Sequence, residues 1–140
     1  MLCEEFLMTK VRQKTKKFTI ASDLPGHVEL MLGNEAIARG IVEAGAQVAA
    51  AYPGTPSSEI LENLAKVAKN VGMYVQWSTN EKVAAEVVAA ASMAGLRAVT
   101  AMKAQGLNVA WDFLMHLNLI GTGKGGLPIP ETEGLPHERQ

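Results

Sequence analysis

The 140-residue sequence predicts an α/β domain built on a parallel sheet. Three observations carry that expectation. Gly45, Gly72 and Gly95 each follow an apolar-periodic stretch and precede a strand-like run, namely Gln47–Tyr52, Met73–Trp77 and Arg97–Met102. A glycine just past a helix is a common stop, because it takes positive φ without a Cβ clash. The stops lie 27 and 23 residues apart (45 to 72, 72 to 95), room for one strand and one helix each. The second observation is the unbroken Val-Ala-Ala-Ala run at 48–51, which suits a strand covered on both faces. The third is composition. With 48% hydrophobic but only 5% aromatic residues, and twenty alanines, the core must be aliphatic and small. That favours close helix packing over a Tyr/Val-rich sandwich.

The elements follow in order. A first helix is expected over Asn34–Ala44, with Asn34 as N-cap and Ile37, Ala38 and Ile41 on one face. A second begins at Pro56, a residue favoured in the first helical position, with Thr55 as N-cap. Its stripe is Ile60, Leu61, Leu64 and Val67, and Glu62 and Lys66 make an outward i, i+4 pair. This helix half-covers a sheet. The third helix, Glu81–Ala94, carries small apolar side chains around nearly its whole circumference and is therefore expected to be buried. A fourth spans Gly106–Leu119.

The structured domain is thus placed at 28–120. Residues 1–27 form a flexible basic lead with Lys10, Arg12, Lys14, Lys16 and Lys17, read as a solvated tail. Residues 121–140 hold five glycines and three of the six prolines and are expected to be disordered.

Several function classes are excluded early. The formal net charge of −1 gives no chain-wide basic field for nucleic acid. Cys3, the one cysteine, cannot form an internal disulfide, a CxxC pair, a zinc knuckle or an iron–sulfur cluster. No apolar run approaches the roughly twenty residues of a membrane span, and no secretory signal is recognisable. A soluble protein of the reducing cytoplasm is expected. The segment Gly121-Thr122-Gly123-Lys124-Gly125-Gly126 lacks the spacing of a phosphate loop. His27, His116 and His137 are scattered and suggest no metal site, and Trp77 and Trp111 read as packing residues.

In open α/β sheets, ligands bind beyond the carboxyl ends of the strands. Three polar loops leave such ends: 52–58, 78–81 and 103–108. In a parallel sheet they converge on one rim. The first offers the hydroxyls of Thr55, Ser57 and Ser58 beside a helix start, which suits either anion binding or simple capping. Glu81 heads the alanine-rich helix. The helix dipole favours its anion while burial disfavours it, the setting of an acid/base group; an ordinary first-turn carboxylate is the alternative.

Four segments resemble one family in order and spacing: Leu32-Gly33-Asn34-Glu35-Ala36-Ile37-Ala38-Arg39-Gly40, Ala51-Tyr52-Pro53-Gly54-Thr55-Pro56-Ser57-Ser58-Glu59-Ile60, Trp77-Ser78-Thr79-Asn80-Glu81-Lys82-Val83-Ala84 and Gly106-Leu107-Asn108-Val109-Ala110. The family is the thiamine-dependent 2-oxoacid:ferredoxin oxidoreductases, and the likeness is greatest to the N-terminal part of the α subunit of its indolepyruvate-type members. It covers about residues 29 to 127. The resemblance implies a three-layer α/β sandwich of the thiamine-pyrimidine-binding type. It implies that Glu81 touches N1′ of the aminopyrimidine of thiamine pyrophosphate, where a shared proton favours the reactive imino form. It also implies that Gly54 and Thr55 line the cofactor site, with Thr55 near the reacting end of the substrate.

The chain departs from the family pattern after Leu127, where Pro128-Ile129-Pro130-Glu131 replaces a strand, and proline opposes a central strand. The fold is therefore expected to be incomplete at its C-terminal end, as in a truncated or split α subunit. The diphosphate-binding domain with its Mg²⁺, and the cysteines for iron–sulfur clusters, would come from a partner domain or another chain. The resemblance then implies a half-site for oxidative decarboxylation of aryl 2-oxo acids, inactive alone, acting in an oligomer and passing electrons indirectly to ferredoxin. The alternatives are a non-catalytic interaction or dimerisation module, or a degenerate gene product.

Overall fold

The computed structural model describes residues 18–132. Along the chain run α1 (Gly33–Glu43), β1 (Val48–Ala51), α2 (Ser58–Val71), β2 (Tyr74–Trp77), α3 (Glu81–Met93), β3 (Ala98–Val99), β4 (Met102–Lys103), α4 (Ala104–Ile120) and β5 (Glu131–Thr132). The three glycine stops all have positive φ, at 70°, 67° and 91° for Gly45, Gly72 and Gly95. Each ends a helix and turns the chain into the next strand.

The strands form a parallel sheet of order β2-β1-β3. β1 is central, with Val48 opposite Tyr74 on one side and Ala98 on the other. Side chains alternate along a strand. Ala49 and Ala51 therefore face one way, into a cluster with Ile41, Ile60, Leu61, Leu64 and Val67 from α1 and α2. Val48 and Ala50 face the other way, against Ala84 and Val88 of α3. The result is a three-layer sandwich. A third cluster, Ala85, Met102 and Ala110, joins α3 to α4 outside it. Alanine on both contact faces lets α3 lie close to the sheet while α4 lies close to α3.

α3 is less enclosed than expected. Ala84, Ala85, Val88, Ala89 and Ser92 are buried, but Glu86, Ala90 and Met93 leave one edge in solvent. The other helix starts are also displaced. α1 is capped at Leu32, whose N–H donates to Glu35 Oε2 at 3.1 Å, so Asn34 is inside the helix rather than its cap. α2 starts at Ser58, so Thr55 is not the N-cap and Pro56 is not the first helical residue. The Glu62–Lys66 pair is not formed; Lys66 Nζ donates instead to Asn63 Oδ1 at 2.8 Å, one residue nearer on the same face. The third strand breaks after Val99, and its continuation, β4, pairs with β5 rather than with β1. Trp77 and Trp111 are both largely exposed, so neither is a core residue.

Both flanks, where they are described, make contacts with the domain. Ile20 is buried among the α1 and α2 residues, and Arg39 Nη1 donates to the carbonyls of Ile20 (3.2 Å) and Ser22 (2.5 Å). The basic cluster at 10–17 and Cys3 lie outside the described residues, as does His137. Residues 121–132 lie along the α3 side of the sheet. Ala98 N donates to Gly126 O, Met102 N donates to Pro130 O, and β5 pairs in parallel with β4. Proline is tolerated there because only its carbonyl is used, at a sheet edge. Leu127 packs on the cluster around Val88, and Ile129 on that around Met102.

Gly125 makes this docking possible. A Cβ there would lie 2.0 Å from Leu96 O and 3.0 Å from Ser92 Cα. Gly125→Ala should therefore cost about 1–3 kcal/mol in chemical denaturation, the range for overpacking. Unchanged stability would show that residues 121–132 do not dock on this face.

Candidate functional site

The three loops at the carboxyl ends of the strands meet at the first turn of α4. The loop after β1 is closed by its own serines. Ser57 Oγ donates to Gly54 O and Ser58 Oγ accepts from Gly54 N, both at 2.8 Å, and Ser58 N donates to Gly54 O at 3.1 Å. From α1, Asn34 Nδ2 donates to Pro56 O at 2.8 Å and to Glu59 Oε2 at 3.1 Å. These bonds satisfy the tight turn and leave Thr55 exposed at its tip, with the Thr55–Pro56 peptide in the cis form. The serines therefore act as closing groups of the turn.

Gly54 rests on the next loop. A Cβ on Gly54 would stand 3.4 Å from both Cδ and Cε of Lys103, the residue that precedes α4. Three residues on, about 4.5 Å along the helix axis, Gly106 faces Glu81. A Cβ on Gly106 would stand 2.6 Å from Glu81 Oε1, 2.8 Å from Cγ and 3.0 Å from Cδ. No side chain larger than hydrogen fits there without moving the carboxylate. The sequence thus brings the loops of Thr55 and Glu81 to one turn of one helix.

Glu81 is only 6% exposed. Its position at the start of α3 is set by Asn80, whose Oδ1 accepts from Val83 N at 2.8 Å. Its neighbour Lys82 does not neutralise it. Lys82 Nζ reaches outward to Asp112 Oδ2 on α4 at 2.5 Å, and that hydrogen bond and charge raise the pKa of Lys82 and lower that of Asp112. Among the described residues the ion pairs are His27–Glu29, Arg39–Glu43 and Lys82–Asp112. No hydrogen bond to the Glu81 carboxylate is formed among them either. A nearly buried carboxylate normally has a partner. Here the protein supplies none at the described residues, and the open side of the group is the rim.

Two buried hydroxyls at the strand ends also lack partners. Ser78 Oγ follows β2, and Thr100 Oγ1 follows β3, on the face shared with Ala98 and Ala50. Ser78 N still extends the ladder, donating to Ala51 O at 2.8 Å.

A cavity of about 910 Å³ lies elsewhere, between the 18–31 segment and α2, lined by Phe18, His27, Met31 and Lys66 among others. Phe18 and His27 stack there with centroids 5.3 Å apart. No group of three or more His, Cys, Asp or Glu side chains is arranged for a metal ion among the described residues. Among the same residues, no helix is long and apolar enough to cross a membrane.

The sequence placed Thr55, Gly54, Glu81 and the 103–108 loop on the rim and read Asn34 as a helix cap, but the contacts of Asn34 with Pro56, Lys103 with Gly54 and Gly106 with Glu81 were not foreseen. Gly106 carried a usable signal. A glycine near the start of a helical run costs about 1 kcal/mol relative to alanine, so it often marks a close approach.

Comparison with known proteins places the chain in a family. Residues 39–122 match the model described as pyruvate flavodoxin/ferredoxin oxidoreductase, thiamine diP-binding. The indolepyruvate oxidoreductase subunit IorA of Pyrococcus horikoshii is 56% identical over 107 residues, which is 76% of this chain and 16% of that protein. Its counterpart in Archaeoglobus fulgidus is 43% identical over 125 residues, 86% of this chain and 20% of that protein. The 2-oxoglutarate synthase subunit KorA of Methanocaldococcus jannaschii is 40% identical over 82 residues, 59% of this chain and 22% of that protein. The chain therefore spans about a fifth or less of the length of these relatives. Among solved structures, a 2-oxoglutarate:ferredoxin oxidoreductase from Magnetococcus marinus superposes with a TM-score of 0.71 at 24% identity, over 96% of this chain and 23% of that one, and shares the fold. With more than half of its length matched, the chain belongs to the thiamine diphosphate-binding domain family of the pyruvate flavodoxin/ferredoxin oxidoreductases.

Proposed function

We propose that this chain supplies the aminopyrimidine-binding half-site of a thiamine-dependent 2-oxoacid:ferredoxin oxidoreductase of the indolepyruvate type. The observation that carries the reading is the Glu81 carboxylate. It is nearly buried, pressed against Gly106, and without an ion-pair partner among the described residues. The residues present suit the ring of thiamine diphosphate. A carboxylate with an open side can take a ring nitrogen, and the partnerless hydroxyls of Ser78 and Thr100 lie at the strand ends of the same sheet.

Glu81 would hold the ring at N1′ and keep a proton there. Gly54 lies against the stem of Lys103, and Thr55 stands at the tip to meet the reacting end of an aryl 2-oxo acid. When bound, the cofactor supplies the nucleophilic carbon and electron sink for decarboxylation. A diphosphate-binding domain with Mg²⁺, and the iron–sulfur clusters leading to ferredoxin, come on this reading from a partner chain in an oligomer, within the cytoplasm.

An interaction role has its own support. Trp111, Met115 and Leu119 recur at i, i+4 and i+8 on α4 and are 56%, 51% and 81% exposed. A non-catalytic docking module would use that stripe. Sedimentation separates the readings: association without thiamine-dependent turnover favours docking alone.

Fragment complementation tests the main proposal. This chain is combined with the remainder of the Pyrococcus horikoshii relative beyond its matched stretch, expressed separately, and that relative's companion subunit. The chain alone should reduce no ferredoxin with phenylpyruvate, and the assembly should do so in a thiamine diphosphate-dependent way. Glu81→Gln should lower the rate by about 100-fold or more, the scale of a lost general acid/base, with unchanged circular dichroism. A rate within twofold of wild type would remove Glu81 from the chemistry. Gly106→Ala should displace the carboxylate and lower the rate by about 100-fold, the scale of an ångström misplacement. Full activity in that variant would show that the close contact at Gly106 is not needed.

A further inference from the structure

We infer that Lys103 is the residue that takes the carboxylate of the 2-oxo acid. This rests on the reading above and adds a substrate contact to it. Lys103 is the last residue of β4 and immediately precedes α4, at the rim. Its aliphatic stem lies along Gly54, with Cδ and Cε each 3.4 Å from the position of a Gly54 Cβ. The stem therefore packs on the backbone of the Thr55 turn at Gly54. Lys103 is half-buried as a residue, and its ammonium has no carboxylate within ion-pair distance among the described residues. Lysine stems commonly lie on protein while the charged head stays at the water boundary.

The surrounding charges point the same way. Glu81 faces Gly106 and does not pair with Lys103. The first turn of α4 holds no acidic side chain, and no side chain caps it. Its free N–H groups add positive potential to the rim. Glu81 and Lys103 thus stand apart at the start of α4, and Glu59 beyond the Thr55 turn is engaged by Asn34. The acid suits a ring nitrogen, and the cation suits an anion. On the proposed reading the diphosphate is held by the partner half, so the anion to be met beside Thr55 is the carboxylate of the substrate.

An ammonium on the carboxylate steadies the bound substrate and does not itself favour loss of CO₂. The contact should therefore act on substrate binding more than on turnover. In the complemented assembly, phenylpyruvate serves as substrate and its methyl ester, which lacks the anion, as competitive inhibitor. Lys103→Met should raise KM for phenylpyruvate by about tenfold or more, one charge-assisted contact. The inhibition constant of the ester should stay within about twofold, and Lys103→Arg should restore most of the preference for the acid. A damaged turn would weaken acid and ester together, which would overturn the inference, as would an unchanged KM. If the wild-type assembly shows no thiamine-dependent turnover, the proposed function falls and this inference with it. If it turns over but Lys103→Met behaves as wild type, only the role of Lys103 falls.

Discussion

Everything at the rim depends on how closely the carboxylate of Glu81 approaches the backbone of α4. With 2.6 Å between Oε1 and the place where a Cβ would stand, Gly106 is as much a part of the acid's position as the helix that carries it. The acid is fixed from three sides. The Asn80 cap sets the start of α3, the alanine rows of α3 hold it against the sheet, and α4 closes over the side chain. The fourth side opens on the loops. Burying a carboxyl group in this way opposes stability unless something offsets it. A ligand group at the open side would do so.

The rest of the fold serves to keep that arrangement narrow. Alanines at 49, 50 and 51 leave little side-chain bulk on either face of β1, so the helix layers approach the sheet closely. Small residues at 85 and 110 do the same between α3 and α4. On the opposite side, Asn34 crosses from α1 to the Pro56 carbonyl and holds the Thr55 turn. The Lys82–Asp112 pair ties the start of α3 to α4 and draws Lys82 away from Glu81. That pair is exposed and contributes little to stability. Its effect is to leave the neighbouring acid unpaired.

Much of this was legible in the sequence. Positive-φ glycines at 45, 72 and 95 marked the strand and helix repeat, and a charged residue at the head of an alanine rod marked Glu81. Helix starts were less legible, because Thr55, Pro56, Ser57 and Ser58 are all acceptable first-turn residues. Which of them caps is decided by the turn around Gly54, a tertiary matter. The contacts of the C-terminal stretch were illegible for a similar reason. Its glycines and prolines fit a disordered tail by composition, yet Gly125 is there to clear Leu96 O and Pro130 uses only its carbonyl. Lys103 and Gly106 show their roles only through distances to residues far away in sequence. Local patterns do not carry such information.

The most direct test is a crystal structure of the complemented assembly with thiamine diphosphate bound. The account predicts the aminopyrimidine ring at the first turn of α4, with N1′ within about 2.6–3.2 Å of a Glu81 carboxylate oxygen. A ring bound away from that turn, or a Glu81 carboxylate taken up by a cation of the partner chain, would contradict it.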